Sequence, residues 1–218
     1  MKEKVKSIIN ILLKNYKFYI LLICSTVFVL LLENIYEQEK IVIDTIVYNF
    51  AVVYLRTEPI TIIMKIITNL GSAYFLIIVT ILSMIILKNK KISILIAGNL
   101  VISTGLNIIL KNIVQRPRPE GYRLIEEVGF SFPSGHSMVS VAFYGFIAYL
   151  IWKKVENKKL KYILCGLLVM FAVLIGFSRI YLGVQYAIDV LAGGVLSIVY
   201  LVINIHFARR ILRKSGYS

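Results

Sequence analysis

The strongest constraint in this sequence is a series of long apolar runs without a charged residue. Residues 66–87 form a run of 22 residues, and residues 92–110 form one of 19. Each is long enough to cross the ~30 Å hydrocarbon core of a bilayer as a helix. Helices are expected because a backbone surrounded by lipid must satisfy its own hydrogen bonds. Four further apolar runs complete a set of six predicted spans, at residues 18–32, 137–152, 162–177 and 190–208.

Composition agrees with this pattern, because 59% of the residues are hydrophobic and the mean hydropathy is +0.82. Soluble domains are nearer to ~45–50% apolar. We therefore predict an all-α integral membrane protein with six transmembrane helices. The whole chain, residues 1–218, is interpreted as one membrane domain.

Two segments outside the spans have a helical pattern of their own. Residues 1–17 place apolar side chains at helical spacing with lysines off that face, which is typical of a cytoplasmic amphipathic helix on the membrane surface. A cytoplasmic extension of the first span is the alternative. Residues 40–55 are apolar but contain Asp44 and Asn49, so we expect an interfacial or re-entrant helix on the outer side.

The net charge of +14 comes from 25 Lys and Arg against 11 Asp and Glu. In a soluble protein such an excess would suggest nucleic-acid binding. Here the cations follow a membrane topology: with the N-terminus in the cytoplasm, 17 of the 25 lie in inner segments and eight in outer ones. The bias predicts that both termini are cytoplasmic. The partner we expect is therefore the lipid bilayer, with no nucleic acid.

Five of the eight outer cations lie in the two outer loops that follow the third and fifth spans, or at their edges. They are Lys111, Arg116, Arg118, Arg123 and Arg179. Because they run against the topological bias, we expect another role for them. A cation at the end of a span can also extend its charge to the interface, and for Lys111 alone that explanation is sufficient.

A second cluster, Pro133-Ser134-Gly135-His136, stands where the fourth span begins. A helix that starts there directs unpaired N–H groups and the positive end of its dipole outward, which suits an anion. Ser134 can act as a helix cap, whether or not it also binds a ligand. His136 is one of two histidines and has the pKa range of a proton donor. The other, His206, is interpreted as a packing residue.

A third cluster joins the last two spans. Ser178-Arg179 ends one span, and Asp189 opens the next, where an acidic residue can also serve as a dipole partner. Gln185 and Asp189 are four residues apart, so on a helix they would share a face and touch. A carboxylate placed in this way can orient the group that residue 185 presents. In this chain that group is a side-chain amide.

The three clusters resemble the signature of the type 2 phosphatidic acid phosphatase (PAP2) superfamily. The matching residues are Lys111-x6-Arg118-Pro119, Pro133-Ser134-Gly135-His136 and Ser178-Arg179-x5-Gln185-x3-Asp189, in the family's order. The family includes bacterial phosphatidylglycerophosphate and undecaprenyl-diphosphate phosphatases. The resemblance implies a PAP2-type helical core, at residues 66–208, that dephosphorylates a lipid phosphate or diphosphate.

Carried over by position, the resemblance implies a phosphate-binding set. Lys111, Arg118 and Arg179 would neutralise the phosphate oxygens. Ser134 and the backbone of Gly135 would donate hydrogen bonds to the same group.

The resemblance also implies the catalytic roles. His136 would protonate the leaving group, and Asp189 would orient the nucleophile. In the family the nucleophile is a histidine that attacks phosphorus and forms a phosphohistidine, which water then hydrolyses. The corresponding position here is Gln185, whose amide nitrogen has a delocalised lone pair, so we expect the phosphohistidine mechanism to be impaired.

Several functions remain open at this stage. The chain can be a lipid phosphate phosphatase impaired by Gln185, with phosphatidate, phosphatidylglycerophosphate or undecaprenyl diphosphate as the substrate. It can also be a lipid phosphotransferase, or a non-catalytic protein that binds or transports lipid phosphates. The site is expected on the outer side of the cell membrane. We expect no cofactor and no metal, because no histidine or carboxylate cluster has ligand spacing.

Overall fold

The computed structural model describes residues 2–36 and 42–213, and every regular element in these ranges is helical. The elements are α1 (Lys2–Tyr36), α2 (Val42–Asn49), α3 (Glu58–Leu70), α4 (Ala73–Ile86), α5 (Lys90–Val114), α6 (Gly135–Lys154), α7 (Lys158–Tyr181) and α8 (Ala187–Arg213). Residues Asn15–Tyr36 of α1 and the helices α5 to α8 are long and apolar enough to cross a membrane, and α3 with α4 forms a bent pair that makes a sixth span if it crosses as one unit. The all-α fold is confirmed, and five to six membrane-spanning helices agree with the prediction of six.

Several helices begin a few residues before the predicted apolar runs, at polar residues that cap their N-termini. Four helices begin after a side chain that accepts a hydrogen bond from a backbone N–H two or three residues further on. The capping residues are Ser72, Asn89, Ser134 and Asn157, which precede α4, α5, α6 and α7. At the other end of α5, Gln115 adopts a left-handed conformation with φ of 52° and ends the helix.

The second span differs from the prediction of one straight helix over residues 66–87. It consists of α3 and α4, bent by 49° at Gly71 and Ser72. Gly71 ends α3, and Ser72 has an extended backbone with φ of −71° and ψ of 150° before it restarts the helix as the cap of α4. Helix α7 packs closely at this break, since a Cβ atom on Gly71 would lie 2.4 Å from Cγ2 of Ile175.

The connection between the first two spans contains a short helix, as predicted for residues 40–55. Helix α2 continues into a π-helical turn at Phe50–Tyr54, and the combined segment is too short to be counted as a span. Lys40 lies outside the described residues. Asp44 on α2 is buried, and its carboxylate contacts the end of the bundle where α8 begins.

Helix α1 contains a non-helical residue, Asn15, with φ of −109° and ψ of 15°. This break separates the predicted amphipathic segment from the first span. The prediction for residues 1–17 concerns side chains that, up to residue 14, lie outside the described part of the chain.

Helix α6 is at the centre of the bundle and packs against α5, α7 and α8. Its side chains Phe143 and Phe146 are fully buried in the main core. Helix α8 approaches closely at Gly193, where a Cβ atom would lie only 2.7 Å from the carbonyl oxygen of Ser134. Small residues at such crossings are how membrane helices pack. This crossing sets the N-terminus of α6 directly against the start of α8.

Candidate functional site

The predicted site residues come from four helix ends and the loop 115–134, and the fold brings them together at one end of the bundle. The backbone N–H of Ser134 donates to the carbonyl of Asp189 at 2.9 Å, which ties the starts of α6 and α8. Nη1 of Arg118 donates to the carbonyl of Val184 at 3.0 Å. Lys111 lies beside the start of α6, since a Cβ atom on Gly135 would be 3.9 Å from its Cε.

Two of the predicted phosphate-binding cations also hold the loop in place. Nζ of Lys111 donates to the carbonyl of Phe130 at 2.8 Å. Arg118 is buried, and its Nε donates to the carbonyl of Gly129 at 3.0 Å while its Nη2 donates to that of Val128 at 3.2 Å. Desolvation lowers the pKa of Arg118, although Glu127 and Asp189 oppose this effect. The loop carbonyls thus hold both cations in place, and the two charges are close enough to act on each other.

The third cation, Arg179 at the end of α7, is almost completely buried, with 1% of its surface exposed. Its Nη1 donates to the hydroxyl of Thr68 on α3 at 2.9 Å. Its Nε has no hydrogen-bond partner within the described residues. A buried donor without an acceptor is costly, so this nitrogen is available to a ligand that brings an acceptor.

Glu127 in the loop lies between two of the cations, which the sequence did not indicate. One carboxylate oxygen accepts a short hydrogen bond from Nη2 of Arg179, and the other is 3.7 Å from Nη2 of Arg118. The side chain of Glu127 is 26% exposed. Forked arginine donors recognise carboxylates and phosphates in the same way. The carboxylate therefore occupies a position that suits phosphate oxygens.

Helix α6 begins at Gly135, next to these cations. A Cβ atom at this position would lie 2.8 Å from Oδ1 of Asn107, so only glycine fits without displacing the Asn107 side chain. His136 follows Gly135. Its imidazole lies within electrostatic range of three cations, Arg179, Lys111 and Arg118. A Cβ atom on Gly71 would be 3.3 Å from Cδ2 of His136, so the bend between α3 and α4 lies against the imidazole.

Gln185 is placed differently from the prediction that it touches Asp189 on a helix face. Helix α8 begins at Ala187, so Gln185 precedes it. The amide is buried, and its Oε1 accepts a short hydrogen bond from the hydroxyl of Ser134. Its Nε2 donates to the carbonyl of Ser131 at 3.4 Å. The preceding turn, which includes Gly183 with φ of 77°, delays the start of the helix and redirects the side chain.

Asp189 is fully buried and receives three donors of its own. Oδ1 accepts from Nη1 of Arg116 at 2.6 Å. Oδ2 accepts from the backbone N–H of Tyr186 at 2.9 Å and, in a short hydrogen bond, from the hydroxyl of Ser131. Gln185 and Asp189 are therefore linked through Ser131, which bonds to both. The carboxylate is held in place independently of residue 185.

Arg116 and Asp44 form a support for Asp189 that the sequence analysis missed. Nη2 of Arg116 donates to Oδ2 of Asp44 at 2.6 Å, and Oδ1 of Asp44 accepts from the N–H of Ile188 at 2.9 Å. Burial disfavours the Arg116 charge, but Asp189 and Asp44 outweigh it and hold its pKa above the usual value. The sequence did mark both residues as unusual, since Arg116 is a cation on the predicted outer side and Asp44 is a charged residue in an apolar helix, but it did not indicate that they pair.

Comparison with known proteins assigns this arrangement to a family. The profile described as the PAP2 superfamily matches residues 92–213. Phosphatidylglycerophosphatase B of Bacillus subtilis (strain 168) is 41% identical over 112 residues, which are 50% of this chain and 54% of that protein. The chain thus spans about half the length of this relative. Undecaprenyl-diphosphatase of Sulfolobus acidocaldarius is 26% identical over 190 residues, 84% of this chain and 87% of that protein.

A solved structure agrees over more of the chain. The crystal structure of a transmembrane PAP2 type phosphatidylglycerolphosphate phosphatase from Bacillus subtilis superposes with a TM-score of 0.80 and 30% sequence identity. The match covers 88% of this chain and 98% of that one. The helical bundle is therefore a PAP2-type fold embedded in a membrane. With the profile match over more than half of its residues, the chain belongs to the PAP2 superfamily.

Proposed function

We propose that this protein binds the phosphate group of a membrane lipid phosphate or diphosphate and is built as a PAP2-type phosphatase whose hydrolytic step is limited by Gln185. The observation that carries the proposal is the carboxylate of Glu127 held between the buried guanidinium groups of Arg118 and Arg179. This arrangement marks the space in which an oxyanion is complementary to the site.

Binding would use donors that are already in position. A phosphate that replaces the Glu127 carboxylate would accept from both arginines and would supply the acceptor that Nε of Arg179 lacks. Lys111 and the N-terminal turn of α6 add positive potential on the same side. Such charge-assisted hydrogen bonds are the stronger ones in proteins.

Hydrolysis in the family's manner needs a nucleophile at residue 185. A nitrogen lone pair would attack phosphorus, the bond from phosphorus to the leaving oxygen would break, and His136 would give that oxygen a proton. The amide of Gln185 has no such lone pair, and its Oε1 is occupied by Ser134. The site is therefore expected to bind phosphate well and to turn over slowly.

Among the candidate substrates we favour a glycerophospholipid with a terminal phosphate monoester. Support comes from the 41% identity with phosphatidylglycerophosphatase B and from the TM-score of 0.80 with a phosphatidylglycerolphosphate phosphatase. Undecaprenyl diphosphate is the second candidate, because the archaeal undecaprenyl-diphosphatase aligns over 84% of this chain.

The test is phosphate release from phosphatidate, phosphatidylglycerophosphate and undecaprenyl diphosphate by the purified chain and by Gln185→His. We expect the histidine to raise the rate by roughly a thousandfold, since residues that act as a unit lose most of the effect when one is missing. Gln185→Asn is the matched control, because it keeps a buried amide and should leave the rate low. An equal rate for the original chain and Gln185→His would contradict the proposed mechanism.

A non-catalytic lipid-phosphate binding protein is the second candidate function. The buried, doubly hydrogen-bonded amide of Gln185 favours it, because the side chain is integrated into the site. This function predicts that inorganic phosphate protects the protein against thermal unfolding while Gln185→His still releases no phosphate from any of the three lipids. A lipid phosphotransferase would instead consume the substrate only when an acceptor other than water is added.

A further inference from the structure

A cavity lies at the end of the bundle opposite the proposed phosphate site, which is formed by Lys111, Arg118, Arg179 and the start of α6. It has a volume of about 1000 Å³ and is bounded by the C-terminal ends of α4, α6 and α8 and the N-terminal end of α5. Its floor is apolar, with Val79, Leu82, Ile92, Ile147 and Leu150 among the lining side chains. This volume is at the upper end of the ~300–1,000 Å³ range of small-molecule sites.

Cations surround the rim of this apolar cavity. Lys153 and Lys154 approach from the end of α6, and Arg209 and Arg213 approach from the end of α8. None of the described residues that line the cavity is acidic. The guanidinium of Arg209 lies 5.4 Å from the centre of the Tyr149 ring, and this cation–π contact holds its charge at the rim.

We propose that this cavity binds an anionic phospholipid of the inner membrane leaflet. The apolar floor matches acyl chains, and the four cations at the rim match a headgroup phosphate. Basic pockets between transmembrane helices on the cytoplasmic side are suited to anionic headgroups for this reason. The site is separate from the phosphatase-like site, since it uses the opposite ends of α5, α6 and α8. It does not depend on whether the chain hydrolyses phosphate.

Charge complementarity selects this occupant over a second copy of the chain. The cytoplasmic segments are rich in lysine and arginine, as the net charge of +14 reflects, so two such surfaces would repel each other. A zwitterionic lipid would fill the apolar floor but would bring no net negative charge to Lys153, Arg209 and Arg213 at the rim.

Trp152, the only tryptophan in the sequence, contacts Tyr162 on α7 and does not line the cavity, so the local probe is a tryptophan at the lining position Leu150, introduced as Leu150→Trp in a Trp152→Phe background. The full chain is reconstituted in phosphatidylcholine vesicles, in which increasing fractions of lipid carry brominated acyl chains that quench tryptophan fluorescence. We expect brominated phosphatidylglycerol to quench the fluorescence of Leu150→Trp at fractions about tenfold lower than brominated phosphatidylcholine.

A matched pair of variants distinguishes binding in the cavity from general attraction of anionic lipid to the positively charged surface. The test variant changes the rim cations Lys153, Lys154, Arg209 and Arg213 to Gln, and the control changes four cations of the same membrane side that do not line the cavity, Lys88, Lys158, Lys159 and Arg210. We expect the test variant to lose the preference and the control to keep most of it. Equal loss in both variants would overturn the proposal.

Two further measurements cover a rim variant that does not fold and a soluble anion that competes with the lipid. If the fourfold rim variant does not fold, the double variant Lys153→Gln/Arg209→Gln should reduce the preference by at least threefold, whereas Lys158→Gln/Arg210→Gln should not. Inorganic phosphate is added to the unchanged chain as a soluble competitor. Displacement of the brominated lipid by millimolar phosphate, but not by equal ionic strength of chloride, would assign the rim to a soluble anion and contradict a lipid site.

Discussion

At the scale of single residues, Glu127 controls access to the proposed phosphate site. Its carboxylate bonds to Arg179 and lies 3.7 Å from Arg118, so an incoming phosphate competes with a group that belongs to the protein. The same contacts reduce the cost of keeping two arginines buried and close together. We therefore expect Glu127 to stabilise the two buried arginines and to compete with a phosphate ligand.

The first prediction concerns the substitution Glu127→Gln. Removing the carboxylate charge should tighten the binding of inorganic phosphate about tenfold, which corresponds to one charge-assisted contact of roughly 1.5 kcal/mol. Without phosphate, the melting temperature should fall, because the two arginines lose their counter-charge. Isothermal titration and thermal unfolding with and without phosphate measure both effects.

Glu126→Gln is the control for this experiment, since it removes the same charge from the neighbouring, exposed position. It should leave phosphate affinity unchanged within a factor of two. Weaker phosphate binding by Glu127→Gln would mean that Glu127 orients the arginines for the ligand, and the idea of competition would be wrong.

At the scale of elements, the bend between α3 and α4 connects the packing of the second span to the site. Thr68, one turn before the bend, accepts a hydrogen bond from Arg179 at 2.9 Å. Gly71, at the bend itself, is packed against Ile175, Ser140 and His136. A change in the bend angle would therefore move Thr68 relative to Arg179 and Gly71 relative to His136.

The second prediction is that Gly71→Ala destabilises the protein and weakens phosphate binding. The new methyl group would lie 2.4 Å from Ile175 Cγ2 and 2.8 Å from Ser140 Oγ, so α3 or α7 must shift. Overpacking of this kind costs about 1–3 kcal/mol. Thermal unfolding in detergent measures the stability, and titration with inorganic phosphate measures the binding affinity.

Gly98→Ala is the matched control, because a Cβ atom on this α5 glycine would meet nothing within 4 Å. In a helix interior the change should be neutral or stabilise by about 0.5–1 kcal/mol. If Gly71→Ala behaves like Gly98→Ala, the bend is not set by close packing at this glycine.

The sequence predicted the helices better than it predicted the contacts between them. Apolar runs are local signals, so the membrane-spanning helices were found, although Gly71 and Ser72 were not recognised as a break. Gln185 was predicted on a helix face because it is four residues before Asp189. In the structure α8 begins only at Ala187, so Gln185 lies in the preceding turn. Local periodicity carries no information on where a helix begins when a left-handed glycine such as Gly183 precedes it.

The residues that were missed are those whose partners are distant in sequence. Arg116 pairs with Asp44 and Asp189, which are 72 and 73 residues away. Glu127 pairs with Arg179, 52 residues away. No spacing rule relates such positions, since only the tertiary fold brings them together. The charge bias singled out five outer cations, and the resemblance to the family signature selected Lys111, Arg118 and Arg179 among them.

At the scale of the whole molecule, charge is distributed unequally between the two ends of the bundle. The end opposite the phosphate site carries Lys90 at the start of α5, Lys153 and Lys154 at the end of α6, and Arg210 and Arg213 at the end of α8. The positive-inside rule would place that end in the cytoplasm and the phosphate site outside.

The third prediction tests this orientation with single cysteines in a background in which Cys24 and Cys165 are replaced by Ser. A cysteine at the exposed position Tyr122, in the loop of the phosphate site, should react with a membrane-impermeant maleimide in intact cells. A cysteine at Lys158 should react only after the membrane is permeabilised. Labelling in the reverse order would invert the topology and would move the phosphate site to the cytoplasmic side.

The three donors on Asp189 have a consequence for how this scaffold can change. Arg116, Ser131 and the Tyr186 backbone secure the carboxylate without help from its neighbour in the preceding turn. The side chain at 185 can then be exchanged while its surroundings stay assembled. Glutamine and histidine codons differ only in their third base, so a single nucleotide change would place at this position the histidine that the proposed hydrolysis requires.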